Sequence, residues 1–138
     1  MTKQQELVQA ALAARDHAHA PYSNFYVGAA LLTRSGKIFT GCNMENASFG
    51  ATICAERVAM GSAIAAGERD FEMIAIAGAL KDARTFSPAY PCGLCTQVMS
   101  EFVSPQFGVL LVKGDMDLAE YVEFSFKDLM PHTFKLAD

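Results

Sequence analysis

YVGAALLTRSGKIFTGCNM, residues 26–44, decides how this chain folds. Tyr26 to Thr33 is an almost unbroken apolar run, typical of a strand buried on both faces. Ser35-Gly36 supplies a tight turn, and Lys37 to Met44 reads as the returning strand of a hairpin. Upstream, Thr2 can cap a helix running to about Ala18. Within it Leu7, Ala11, Ala14 and Ala18 share one face, with Val8 and Leu12 beside them, and Pro21 ends it. Downstream, residues 45–52 form a polar loop, and a helix is expected from about Ile53 to Ala66, stopped by Gly67. Phe71 to Ala79 reads as a third strand. Lys81 to Pro91 reads as loop, broken by Pro88 and Pro91, and Cys92 to Phe102 as a helix. Gly108 to Val112 is a fourth strand, Gly114-Asp115 a turn, Asp117 to Phe124 a fifth strand, and Phe126 to Met130 a short helix. This order predicts an α/β fold: a three-layer α-β-α sandwich around a central mixed five-stranded sheet, in one domain over residues 1–138.

Composition narrows the partners. Hydrophobic residues make up 51% of the chain, enough for a core that hides roughly 70% of the unfolded surface. Charged residues make up 19%, the net charge is −4, and no run of Lys or Arg occurs, which argues against a nucleic-acid surface. No apolar run reaches the roughly 18 residues of a membrane span. Met1-Thr2-Lys3-Gln4-Gln5-Glu6 is polar and unlike a signal peptide. A soluble cytoplasmic protein acting on a small molecule is expected. The four cysteines, at 42, 54, 92 and 95, then read as metal or redox residues rather than disulfides.

The chemistry concentrates in Cys54-Ala55-Glu56 and Pro91-Cys92-Gly93-Leu94-Cys95. Both pieces sit where a loop enters a predicted helix. A helix N-terminus carries partial positive charge and free N–H groups, which favour thiolate, the metal-binding form of cysteine. The Cys-x-x-Cys pair can place two sulfurs on one ion, and Cys54 adds a third. Three protein ligands leave one tetrahedral position open, as in a catalytic zinc site, whereas four would make a structural one. Glu56 lies two positions past Cys54 and can reach that open position without binding the metal. There it can take a proton from water and return it to a substrate. Three thiolates and Zn²⁺ sum to −1, so the ion needs charge withdrawn to stay acidic. Arg57, donating to the sulfurs, would do so.

Other residues read more plainly. Cys42 sits mid-strand and is expected to fill core. His17, His19 and His132 are expected at the surface or in packing, and Met60, Met73 and Met99 in the core. Ser23, Ser48 and Thr52 read as turn or cap residues.

Over nearly its whole length the chain resembles the small, homotetrameric, zinc-dependent cytidine deaminases. The resemblance is carried by Tyr22-Ser23-Asn24-Phe25, Val27-Gly28-Ala29-Ala30-Leu31 and Gly41-Cys42-Asn43-Met44-Glu45-Asn46-Ala47-Ser48. It continues through Cys54-Ala55-Glu56-Arg57, the Cys92–Cys95 motif, and Leu129-Met130-Pro131 leading to Phe134. The zinc motif belongs to a wider deaminase superfamily. Asn43-x-Glu45-Asn46 and Phe134 narrow it to nucleoside deaminases.

The resemblance implies one Zn²⁺ per subunit and hydrolysis of cytidine or deoxycytidine to uridine or deoxyuridine plus ammonia, in pyrimidine salvage. It implies that Asn43 and Glu45 hold the ribose hydroxyl and that Phe25 lies beside the nucleoside. Ala55 would offer a backbone contact to the pyrimidine, and Phe134 would lie against the base, often from a neighbouring subunit. In the family mechanism Glu56 deprotonates zinc-bound water, protonates N3 and helps ammonia leave. Three positions depart from the family pattern: Thr96 replaces an arginine, Phe49 replaces a common tyrosine, and Tyr26 occupies a variable position. Thr96 and Phe49 leave open a deaminase of a modified nucleoside, such as a blasticidin-type antibiotic. From the residues alone, a non-catalytic zinc module and a Cys92/Cys95 dithiol reductase also stay open. The first needs a fourth protein ligand and an idle Glu56, the second a metal-free pair that cycles to a disulfide.

Overall fold

The computed structural model describes residues 1–136, so the last two residues of the expected domain lie outside it. Three helices matter to the site's placement: α1 (Lys3–Arg15), α2 (Ala55–Ala65) and α3 (Gly93–Ser100); a short α4 (Phe126–Leu129) closes the chain. The strands are β1 (Phe25–Thr33), β2 (Ile38–Cys42), β3 (Phe71–Leu80), β4 (Thr85–Phe86), β5 (Gly108–Asp115) and β6 (Glu120–Ser125). They make one mixed sheet in the order β2-β1-β3-β5-β4, with β6 also on β5. β1 pairs antiparallel with β2 and β3, β3 pairs parallel with β5, and β6 returns antiparallel along β5. All five expected strands form. The sixth, β4, is a two-residue pairing with Gly114 and Asp115 in the stretch read as loop.

The apolar run of β1 is covered on both sides because its alternate residues enter different cores. Ala29 and Leu31 pack with Ala59 and Met60 of α2, Met99 of α3 and Phe126 of α4. Ala30 and Leu32 pack with Leu7, Val8 and Ala11 of α1. The sandwich therefore has α1 on one face and the other helices on the opposite face.

Element ends differ from the sequence reading for identifiable reasons. The first helix stops at Arg15, not Ala18, because the following residues turn back and His19 exchanges backbone hydrogen bonds with Asn43 and Glu45. α2 begins after Cys54, not at Ile53, because the Ile53 N–H and C=O are both bonded to Met44. β5 runs through Gly114-Asp115, and the chain reverses over residues 116–119, where Ala119 takes φ 51°.

The second face depends on Gly41. A Cβ built there would stand 2.5 Å from the Ala59 nitrogen and 2.6 Å from the Ala55 oxygen, both backbone atoms of α2. The helix that carries Glu56 and follows directly on Cys54 thus rests on the β2 backbone. Gly41→Ala is expected to lower stability by about 2–3 kcal/mol through overpacking, read as a drop in Tm, and to weaken metal retention as α2 shifts outward.

Candidate active site

Two helix N-termini converge under one cavity. Cys54 is the residue immediately before α2 and Cys92 the one before α3; both have extended backbones, and neither side chain caps its helix. Their sulfurs are therefore free to face each other, at 3.9 Å. Cys95, in the first turn of α3, places its sulfur 3.6 Å from that of Cys92. All three sulfurs lie within 4.8 Å of one another, and among the described residues no other group of histidine, cysteine or acidic side chains gathers this way. Cys95 is buried, Cys54 half-buried and Cys92 exposed. Cys42 lies apart on β2, and His17, His19 and His132 are exposed.

The thiols share charge unequally. Cys54 is held down to about 5, first by the hydrogen bond from Cys95 and then by those from Arg57 and Cys92. Cys95 is pushed far up, chiefly as the donor of that bond. The two thiols titrate as a pair, and their hydrogen bond favours charge on Cys54 and the hydrogen on Cys95. Arg57 donates from Nη2 to Cys54 Sγ at 3.7 Å, and its Nε is buried without a hydrogen-bond partner. A soft dication fits this donor set. Three thiolates would leave it with net negative charge, and the guanidinium already beside Cys54 would offset that charge and give its orphaned N–H an electron-rich neighbour.

Glu56 is only 5% exposed, yet it opens onto the same cavity as Cys54 and Cys92. Burial pushes its carboxyl up to about 7, so it can both accept and release a proton near neutral pH. The cavity, of 240 Å³, is also lined by Phe25, Asn43, Glu45 and Ala55. A hollow of 290 Å³ between Ser100, Phe126 and Met130 has no cysteine, histidine or carboxylate on its walls and offers no comparable chemistry.

Asn43 and Glu45 are already engaged in holding the cavity's rim. Asn43 Oδ1 accepts the Val27 N–H and Nδ2 donates to the Phe25 carbonyl, both at 2.9 Å. It clasps the start of β1 and keeps one N–H and one lone pair spare. Glu45 Oε1 accepts the Tyr22 and Ser23 N–H groups at 2.9 and 3.0 Å, and Oε2 accepts the Ser23 hydroxyl. These bonds, that of the Ser23 hydroxyl foremost, hold its carboxyl below the usual range.

Phe134 does not join the cavity within one chain. It is 63% exposed and lies along α3 beside Gln97, Val98 and Glu101. Of the departures from the family pattern, Thr96 is buried and donates to the Gly93 carbonyl at 3.1 Å, inside the first turn of α3. Phe49 is exposed and meets Tyr22 edge-on at 6.4 Å.

Ser23, expected as a turn residue, also donates its hydroxyl to Glu45. The strained Asn24 beside it, at φ 60°, marks a turn but not the carboxylate it serves. No sequence signal marks Ile76, Ala89 and Tyr90, which line the cavity from β3 and the loop before Cys92. Arg15 is likewise unmarked. It is 3% exposed, faces the Phe86 ring at 5.0 Å, and donates to carbonyls of Tyr26, Ala79, Leu80 and Lys81, tying α1 to the strand ends behind Phe25.

Residues 1–111 match the family model described as the cytidine and deoxycytidylate deaminase zinc-binding region. A cytidine deaminase of Halalkalibacterium halodurans is 41% identical over 136 residues, covering 97% of this chain and 96% of that one. The crystal structure of cytidine deaminase from Burkholderia pseudomallei superposes with a TM-score of 0.84 at 48% identity, covering 97% of this chain and all of that one. A blasticidin-S deaminase of Bacillus cereus is more distant, 29% identical over 109 residues, covering 77% of this chain and 74% of that one. Similarity of this extent in both sequence and structure settles the kinship, and the chain belongs to the cytidine deaminase family.

Proposed function

We propose that the chain hydrolyses the exocyclic amine of cytidine and deoxycytidine, using one zinc ion per subunit held by Cys54, Cys92 and Cys95. The observation that carries this reading is a buried carboxylate, Glu56, opening onto the same cavity as three clustered thiols. Zinc held there supplies Lewis acidity that makes water nucleophilic near neutral pH. Glu56 takes the proton that water gives up as its oxygen adds to C4. It delivers that proton to N3. It then takes the proton of the new C4 hydroxyl and passes it to the amino nitrogen; the C4–N bond breaks as the C4 carbonyl forms, giving uridine or deoxyuridine and ammonia. Phe25 and the Ala55 backbone position the base, while the spare N–H of Asn43 and the Glu45 carboxylate take the sugar hydroxyl. Arg57 draws charge from the Cys54 sulfur.

The assembly we propose is a homotetramer in which Phe134 of one subunit closes the cavity of another. Supporting this, Tyr22, Phe49 and Tyr90 near the cavity, and Phe134 itself, are each at least 59% exposed in one chain. We place the single domain in the cytoplasm, in pyrimidine salvage. Three thiols that must stay reduced support that compartment, and among the described residues no helix is long and apolar enough to cross a membrane.

Cytidine turnover, followed by absorbance and by ammonia release, tests the reading when zinc is measured on the same sample. Zinc-loaded protein that releases no ammonia, or that prefers blasticidin S to cytidine and deoxycytidine, would overturn it. Arg57→Gln is expected to cost about tenfold or more in turnover and to change its pH profile, as removing a partner of a metal ligand does. An unchanged rate and profile would remove Arg57 from the mechanism.

A further inference from the structure

One wall of the cavity is also the wall of a second space. Phe25 and Ala89 line the cavity beside the cysteines and, on their other side, a hollow of 280 Å³ edged by Gly78, Ala83, Thr85 and Pro88. Both side chains rest on β3 at Gly78, the register partner of Val27. A Cβ at Gly78 would stand 2.8 Å from the Ala89 Cβ and 3.0 and 3.3 Å from Cε2 and Cζ of Phe25. Carbon atoms in ordinary contact sit about 3.5–4.0 Å apart, so every one of these distances is too short. Gly78 does not have the left-handed backbone of Gly36, Gly67 or Gly114. Its missing side chain is what the packing uses, as where a strand glycine admits a close neighbour.

The neighbours differ in how they would yield. The Ala89 methyl is fixed to its backbone in a loop bounded by Pro88 and Pro91, three residues before Cys92. The Phe25 atoms are the far edge of a ring that can turn. Asn43 holds the Phe25 carbonyl, so the ring and not the strand is free to move.

We propose that Gly78 is a positioning residue: by presenting no side chain, it lets the Phe25 ring and Ala89 lie side by side against β3 and so sets the width of the nucleoside cavity. The inference rests on the cavity's proposed role as the nucleoside site. A methyl at position 78 tilts the ring off β3, and the substrate then meets a wall in the wrong place. The cysteines and Glu56, on other elements, stay where they are.

The test uses Ala89→Gly as the parent, because removing that methyl clears the contact that cannot yield and spares the loop leading to Cys92. Adding Gly78→Ala to this zinc-loaded parent is expected to raise KM for cytidine about tenfold while kcat stays within about threefold. A crystal structure of the same variant is expected to show the Phe25 ring displaced. Adding Gly78→Ala to a parent that also carries Phe25→Leu is expected to change KM by less than about twofold, since the shorter side chain does not reach the new methyl. Tm should follow the same pattern, falling in the first parent and holding in the second. An unmoved ring, or equal KM increases in both parents, would overturn the proposal. Failure of the wild-type protein to turn over cytidine would instead overturn the nucleoside reading, and the ring displacement would still decide the role of Gly78.

Discussion

Glu56→Gln is expected to lower cytidine turnover by at least about 10³-fold while the protein keeps its zinc. The substitution preserves size and polarity at a site only 5% exposed, so packing changes little. It removes one property, the ability to accept and release a proton. In the wild type, burial has already raised the carboxyl to about 7, where both transfers are accessible. In the proposed mechanism one residue serves the water, N3 and the leaving amine in turn, so no other group would compensate. Metal content should not change, because the clustered donors are the three sulfurs. Turnover from absorbance, beside zinc analysis and a melting curve, checks all three points. A variant retaining a third of wild-type turnover would exclude Glu56 from the proton transfers.

Cys95→Ser should act through the metal. A serine hydroxyl does not ionise near neutral pH, so a site needing three anionic sulfurs loses one. Zinc is expected to fall below about a tenth of the wild-type content after dialysis, and turnover to fall with it by at least about 10²-fold. Stability should fall as well. Cys95 is fully buried against the core that includes Ala55, Met60 and Met99, and a polar hydroxyl there, with only sulfur beside it to bond, costs about 1–3 kcal/mol. Cys42→Ser is the control: its sulfur lies on β2 outside the cluster, and zinc should remain. Full zinc retention by Cys95→Ser would exclude Cys95 as a ligand.

The layers and the cluster were legible in the sequence because each rests on short-range geometry. An apolar run and a turn signal make the β1–β2 hairpin, and helix starts place Cys54, Cys92 and Cys95 within a residue or two of where they lie. What escaped depends on contacts between distant segments. Arg15 carries no signal of its own in the sequence; only the assembled sheet brings the Tyr26 and Ala79–Lys81 carbonyls around it. β4 has two residues and no pattern of its own, and exists because β5 extends far enough to receive it. Ser23 gained its role from Glu45, which is 22 positions away. Phe134 was read into the site by resemblance, yet within one chain it lies along α3.

The doubly bonded Asn43 has a practical corollary for anyone redesigning this scaffold. Its amide is at once a rivet of the β1 strand and one of the two side chains proposed to meet the sugar, so a swap made to alter sugar preference would also loosen the framework.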